Sequence, residues 1–183
     1  AAIDKVGVDC RELSLLLHGT TTTTNALLEK KIAKCGLITT KGFRDVLELG
    51  RRTRPNAYGL LGSFEPLISR EYRLEVDERM DADGNVVTAL DEDGVARAAQ
   101  SLVEMGCESL VIHFLHAYAN DAHEIRAAEI AAEVWPNEHI TYGSAILAEF
   151  REYERGVAAA VNASIQPVLS RYLARLRDEL TTA

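Results

Sequence analysis

Cysteine is scarce in this 183-residue chain, with only Cys10, Cys35 and Cys107, far apart and without a CxxC pair. An odd, dispersed count argues against a disulfide framework or a structural zinc site, and a reducing cytoplasm is the expected setting. Long apolar runs are lacking as well. Residues 15–17 and 109–115 are far too short to cross a bilayer, and Ala1-Ala2-Ile3-Asp4 has no basic or apolar leader character, so neither anchor nor signal is expected. Positive charge is in the minority: 20 Lys and Arg against 28 Asp and Glu leave a net charge of −8, which disfavours nucleic acid and anionic membrane as partners. No internal repeat occurs, and the only biased tract is the threonine run 20–24. With 47% hydrophobic and 26% charged residues, the chain should fold around a core.

Periodicity suggests how. The apolar run 13–17, then His18-Gly19 and the threonines, then Asn25-Ala26-Leu27-Leu28-Glu29-Lys30-Lys31, reads as strand, turn and helix. Residues 34–40 are β-rich, 42–49 have helical spacing, and 51–69, with Pro55, Gly59, Gly62 and Pro66, form a long loop. Residues 73–80 and 86–87 around Asp83-Gly84 predict a polar-faced hairpin. A helix over 91–106 ending on a glycine cap, a buried strand over 109–115, a helix from Asp121 to Trp135 stopped by Pro136, and a strand over 139–142 complete an alternating pattern. Such alternation predicts an α/β fold with a mixed, largely parallel sheet and flanking helices. Residues 1–148 are expected as one α/β domain and 149–183 as a helical extension, one kinked helix or two, interrupted by Gly156 and Pro167. Leu169, Tyr172, Leu173, Leu176 and Leu180 give its second half an apolar stripe that needs a partner.

The strongest chemical signal is His18-Gly19-Thr20-Thr21-Thr22-Thr23-Thr24-Asn25. Threonine is a poor helix former, so five in a row suggest hydroxyls set beside free backbone N–H groups, fit for a phosphate, a carboxylate or a carbonyl oxygen. Simple helix capping accounts for them equally well, and no Gly-Lys-Ser/Thr follows to make a Walker loop. Arg51, Arg52 and Arg54 follow a helix end, where they complement its dipole or bind an anion. His113 and His116, three apart on a strand, face opposite ways and cannot share a metal; His116, near Tyr118 at the strand's carboxyl end, is the better ligand-site candidate, against a structural role. His123 and Glu124 read as a helical first turn with Glu124 closing a capping box on Asp121. Arg151-Glu152-Tyr153-Glu154-Arg155 reads as a solvated, ion-paired helix face, and Asn162 and Gln166 could bridge a helix interface or meet a ligand. No metal set or catalytic triad stands out at diagnostic spacing.

Four segments, HGTTTTTNALLEKK (18–31), LITTKGFRDVLELGRRTRP (37–55), FLHAYANDAHE (114–124) and REYERGVAAAVNASIQP (151–167), closely resemble in order and spacing the N-terminal region of the hydantoinase A / 5-oxoprolinase family. The resemblance implies an actin-like or sugar-kinase-like (RNase H-like) ATPase fold and an enzyme that uses ATP and Mg²⁺ to hydrolyse cyclic amides. A ketone carboxylase subunit or a noncatalytic interaction module are the alternatives. By resemblance His18, Gly19, Thr20, Thr21, Thr24 and Asn25 line the nucleotide or substrate cleft, with Arg51 and Arg54 beside it. His123, Glu124, Glu152, Tyr153, Arg155 and Asn162 fall on family motif positions of unassigned role. The family's Asp-x-Gly-Gly-Thr turn is missing, since no two of the 12 glycines are adjacent. The chain therefore reads as a segment, inactive alone, whose expected partners are a C-terminal domain, a second subunit or further copies of itself.

Overall fold

The structure, a computed structural model, describes residue 15, residues 17–51 and residues 65–182. In chain order the elements are α1 (Thr22–Leu28), β1 (Cys35–Thr40), α2 (Val46–Leu49), a 3₁₀ turn (Arg70–Tyr72), β2 (Arg73–Val76), β3 (Arg79–Met80), β4 (Val86–Thr88), α3 (Glu92–Glu104), β5 (Ser109–His113), α4 (Ala122–Val134), β6 (Ile140–Tyr142), α5 (Gly143–Ile146) and α6 (Glu152–Thr182). Four strands form a sheet in the order β2-β1-β5-β6, every neighbouring pair parallel, and β3 pairs with β4 in a separate antiparallel ribbon.

Alternate residues of the central strands feed two cores, as the period of two demands. Ile38, Leu110 and Ile112 face α3 and α4, meeting Val95, Ala99, Leu102, Ala127 and Trp135. Cys35, Leu37 and Val111 face the other way, against Leu47, Ile68 and the small residues Ala159, Ala160 and Ala163 of α6. The alanines let α6 lie close across β5. Asp91 caps α3 through its carboxylate and the N–H of Gly94 (2.9 Å), and Gly106, at φ 76°, follows the helix end.

Several expectations need correction. Within the first expected strand only Leu15 and Leu17 are described; both are exposed and neither lies in a strand. The hairpin is shorter than its pattern, because Arg73–Val76 pairs with β1 in the main sheet and only β3 and β4 make the ribbon. Arg73, expected on a polar face, is wholly buried. It donates to the carbonyls of Ile68 (3.0 Å) and Arg44 (3.0 Å) and to the Glu48 carboxylate (2.9 Å), tying α2 to the sheet edge. The C-terminal stretch is one helix with Pro167 inside it. Lacking an N–H, Pro167 leaves the helix turn before it short of one internal bond. The neighbouring Ser164 carbonyl takes the N–H of Ala33 (2.9 Å), which fastens the chain between α1 and β1 onto α6. Along the apolar stripe Leu173 is 48% exposed, so the described residues cover that face incompletely.

Candidate active site

From β1 the chain goes out to β2 on one side, then returns past β1 to β5 on the other. The point where the winding reverses, between the carboxyl ends of β1 and β5, is where open α/β sheets place ligands. Here the two strand ends are stitched together. The Thr39 hydroxyl donates to the His113 carbonyl (2.8 Å), and the Thr40 hydroxyl accepts the N–H of Leu115 (2.9 Å). Thr40 in turn donates to the carboxylate of Glu78, whose other oxygen lies 2.9 Å from His123 Nδ1. Glu78 and Thr40 are buried.

Next to this network an open cavity of about 320 Å³ is lined by Phe43, Val46, Gly50 and Arg51 on one side, Leu115, and Arg151, Glu152, Tyr153 and Glu154 at the start of α6. Arg51 forms an ion pair with Glu154. The Glu154 carboxyl is held below its usual range, first by its own backbone N–H and then by Arg51. Glu152 accepts the N–H of His116 (3.3 Å) and lies 3.9 Å from Arg155 Nη2. Arg151, at φ 91°, belongs to the cavity lining, and His116, at φ 57°, follows the lining residue Leu115. Left-handed backbone at non-glycine residues costs energy and collects where the surrounding structure holds it for a purpose.

Beneath the cavity sits a buried charge cluster. Glu124 accepts the N–H groups of Phe114 (2.8 Å) and Ser144 (2.7 Å), while Arg155 donates to the carbonyl of Phe114 (2.6 Å) and reaches that of Glu149 (3.4 Å). Burial pushes the Glu124 carboxyl up and the Arg155 guanidinium down. His113, 3.8 Å from Glu124, has no hydrogen-bond partner on either ring nitrogen, and burial, followed by the charge of Arg155, lowers its pKa to about 3. Gly143 and Gly156 press on this ring; a Cβ there would come within 2.8 Å and 2.9 Å of it. Together these groups hold the backbone on either side of Leu115, which lines the cavity.

Two expectations change here. Glu124 does not close a capping box, because its carboxylate turns inward to Phe114 and Ser144, and the side chain of Asn120 caps α4 at Ala122 N–H (3.0 Å) instead. The run 151–155 is a solvated, ion-paired face only in part: Arg151 is exposed and Glu154 pairs with Arg51, but Arg155 is fully buried on the side of α6 that meets β5.

The structure thus brings Arg51, Glu152, Tyr153, Glu124, Arg155 and His123 to the carboxyl end of the sheet. Asn162 lies apart, donating to Thr141 of β6 (3.1 Å). His18 stacks on Tyr172 with ring centroids 5.7 Å apart. Gly19, Thr20, Thr21, Thr24 and Asn25 are exposed at the start of α1. Thr20 is hydrogen-bonded to Thr22 (2.6 Å), whereas the hydroxyls of Thr21 and Thr24 have no protein partner among the described residues. None of these residues lines the 320 Å³ cavity. At about 1.5 Å of rise per residue, the stretch of α6 from Glu152 to Tyr172 separates the two regions by roughly 30 Å. Arg52 and Arg54 lie outside the described residues. Thr40, Glu78 and Leu115 escaped the sequence reading; the pair Thr39-Thr40 ending a buried strand was the one local hint.

No helix among the described residues is long and apolar enough to cross a membrane, and among them no group of three or more His, Cys, Asp and Glu gathers to hold a metal ion. Residues 1–135 match the family described as the hydantoinase/oxoprolinase N-terminal region. An uncharacterised protein of Methanocaldococcus jannaschii is 40% identical, over 98% of this chain and 27% of its own length. The caprolactamase subunit alpha of Pseudomonas jessenii is 30% identical, over 92% of this chain and 24% of its own. The crystal structure of the ATP-dependent caprolactamase from Pseudomonas jessenii superposes with a TM-score of 0.84 at 27% identity, covering 98% of this chain and 27% of that one. The chain therefore spans about a quarter of the length of these relatives.

Proposed function

Because the chain belongs to the hydantoinase/oxoprolinase family, matching its N-terminal region and sharing a piece of its actin-like, sugar-kinase-like ATPase fold, we propose that it is the N-terminal part of an ATP-dependent hydrolase of cyclic amides. One observation supports this most: a cavity at the winding reversal of the sheet, with Arg51 and Glu152 facing it and a network of buried charges fixing its wall. An amide carbonyl is a poor electrophile, and ATP would supply a phosphoryl group that turns its oxygen into a leaving group. In the proposal, the guanidinium of Arg51 meets the developing charge or an anionic substrate group, and the Glu152 carboxylate faces the amide N–H. The free hydroxyls of Thr21 and Thr24, with His18, Gly19, Thr20 and Asn25, are assigned to the nucleotide, and Arg54, outside the described residues, is assigned with them by resemblance alone. They would act across a boundary with a further domain that residues 149–183 lead towards. Mg²⁺, carried mainly by phosphate oxygens, is part of the same proposal. A second subunit and a cytoplasmic setting belong to the same proposal; the caprolactamase relative is itself named a subunit.

The test is turnover. The full-length protein that contains this region, with a partner subunit if one is encoded beside it, is assayed with 5-oxoproline, hydantoins and caprolactam for ADP release coupled to ring opening. Coupled turnover by that protein and none by the 183-residue chain is the expected outcome. Turnover by the chain alone would contradict the segment reading, and no coupled turnover by the full-length protein would favour the noncatalytic module.

A further inference from the structure

We infer that Glu78 and His123 form a carboxylate–imidazole pair in which His123 Nε2 takes up and returns a proton at the mouth of the β1/β5 crevice. This rests on the cyclic-amide reading for its substrate but on geometry for its parts.

Glu78 sits between β2 and β3 with a fully buried side chain, and His123 is the second residue of α4, its side chain 12% exposed. No Lys or Arg side chain pairs with Glu78 among the described residues, so the only neighbour able to carry a compensating positive charge is the His123 ring. A buried carboxylate is expensive to maintain without a partner that balances it. One of its oxygens accepts the Thr40 hydroxyl, and the other lies 2.9 Å from His123 Nδ1. An ionised carboxylate only accepts, so Nδ1 carries the hydrogen and the lone pair is left on Nε2. Nε2 has no partner among the described residues and is not sealed from solvent. When Nε2 gains a proton, the Nδ1–H contact to Glu78 becomes an ion pair, which is the arrangement that lets a carboxylate stabilise an imidazolium in acid–base catalysis.

Placement completes the argument. Thr40 links Glu78 to the end of β1 and, through the N–H of Leu115, to the cavity lining. The pair is thus one hydrogen-bonded residue away from the cavity, on the carboxyl-end side where ligands gather. The other histidines near this end are differently placed: His113 is sealed, and His116 Nδ1 is buried without a partner. The step assigned to His123 acts on the amide whose oxygen carries the phosphoryl group in the reading above. A water O–H bond breaks and the C=N π bond opens onto nitrogen as the water oxygen bonds to the carbon, and the proton passes to Nε2. The C–N bond then breaks as that oxygen forms C=O and loses its remaining proton to solvent, and Nε2 delivers its proton to the departing nitrogen. A second water releases phosphate from the resulting acyl phosphate, the ring of His123 is restored, and nothing is oxidised or reduced.

Two measurements test it. Long-range ¹H–¹⁵N spectra of the histidine-labelled chain should show His123 protonated at Nδ1 and bare at Nε2; a hydrogen on Nε2 would overturn the assignment, because that nitrogen could not then accept one. In the full-length protein, His123→Ala should lower kcat by about 10²-fold or more with KM for ATP and amide within about threefold, and added imidazole should restore part of the rate. Glu78→Gln should lower kcat in the same sense. A His123→Ala variant that keeps its rate, or whose lost rate imidazole does not touch although its melting curve is native-like, overturns the proposal. If the wild-type full-length protein opens no cyclic amide, the substrate reading falls, and the spectra decide the proton-accepting pair on their own.

Discussion

Burying an imidazole with neither nitrogen hydrogen-bonded makes stability depend on pH, and His113 is such a ring. Its folded pKa, about 3, is below the unfolded value near 6.5, so the unfolded chain binds a proton that the folded chain refuses. Above pH 6.5 the ring is neutral in both states and adds no pH dependence, and stability drains away as pH falls from there towards 3. Against His113→Leu, the wild type should lose about 2 kcal/mol between pH 7 and pH 5, read from urea midpoints at the two pH values. Glu124, pushed up by burial, works in the opposite direction in both proteins, so the difference isolates the imidazole. Arg155 makes a second case. Truncating it to Met would leave the Phe114 carbonyl unpaired and the buried Glu124 carboxylate without its nearby cation. A loss of about 3–5 kcal/mol is expected, seen as a drop in Tm of about 10 °C. Arg155 and Glu124 were in plain view in the sequence, yet nothing local marked them as buried. Arg155 shares an alternating charge pattern with exposed helix faces, and Glu124 stands three residues after an aspartate as a capping box would.

Elements were more legible than their endpoints. α3 follows from its apolar spacing and its glycine end, and β5 from a short apolar run, because each signal lies within or beside the element itself. β2 was mistaken for half of a hairpin because its partner, β1, is more than thirty residues earlier in the chain, and an edge strand of a parallel sheet alternates much as a hairpin strand does. α6 shows how unevenly one helix can be held. Its first half buries Ala159, Ala160 and Ala163 against the sheet, whereas past Pro167 Leu173 is largely open. Hydrogen exchange should therefore be slow over residues 155–166 and faster by orders of magnitude over 172–182 in the isolated chain. Equal protection of the two halves would show that the stripe is already covered.

At the scale of the molecule, the proposed division of labour makes its own prediction. If a further domain packs on the α6 stripe in the full-length protein, residues 169–180 should gain exchange protection there relative to the isolated chain, while residues 155–166 change little. The site divides in a similar way. The His18 to Asn25 stretch and the Arg51 cavity lie at separate places along α6, and in the first the hydroxyls of Thr21 and Thr24 have no partner among the described residues, as a cleft completed from outside would require.

The order of residues alone settled the α/β class, the alternation of strands and helices, and the family, because those depend on local periodicity and on motifs that are contiguous in the chain. Which charged groups are buried, and that Thr40, Glu78 and His123 meet, was decided only by folding. Parallel strands bring their carboxyl ends together from positions 38 and 45 residues apart, and no local pattern reports which side chains will converge there.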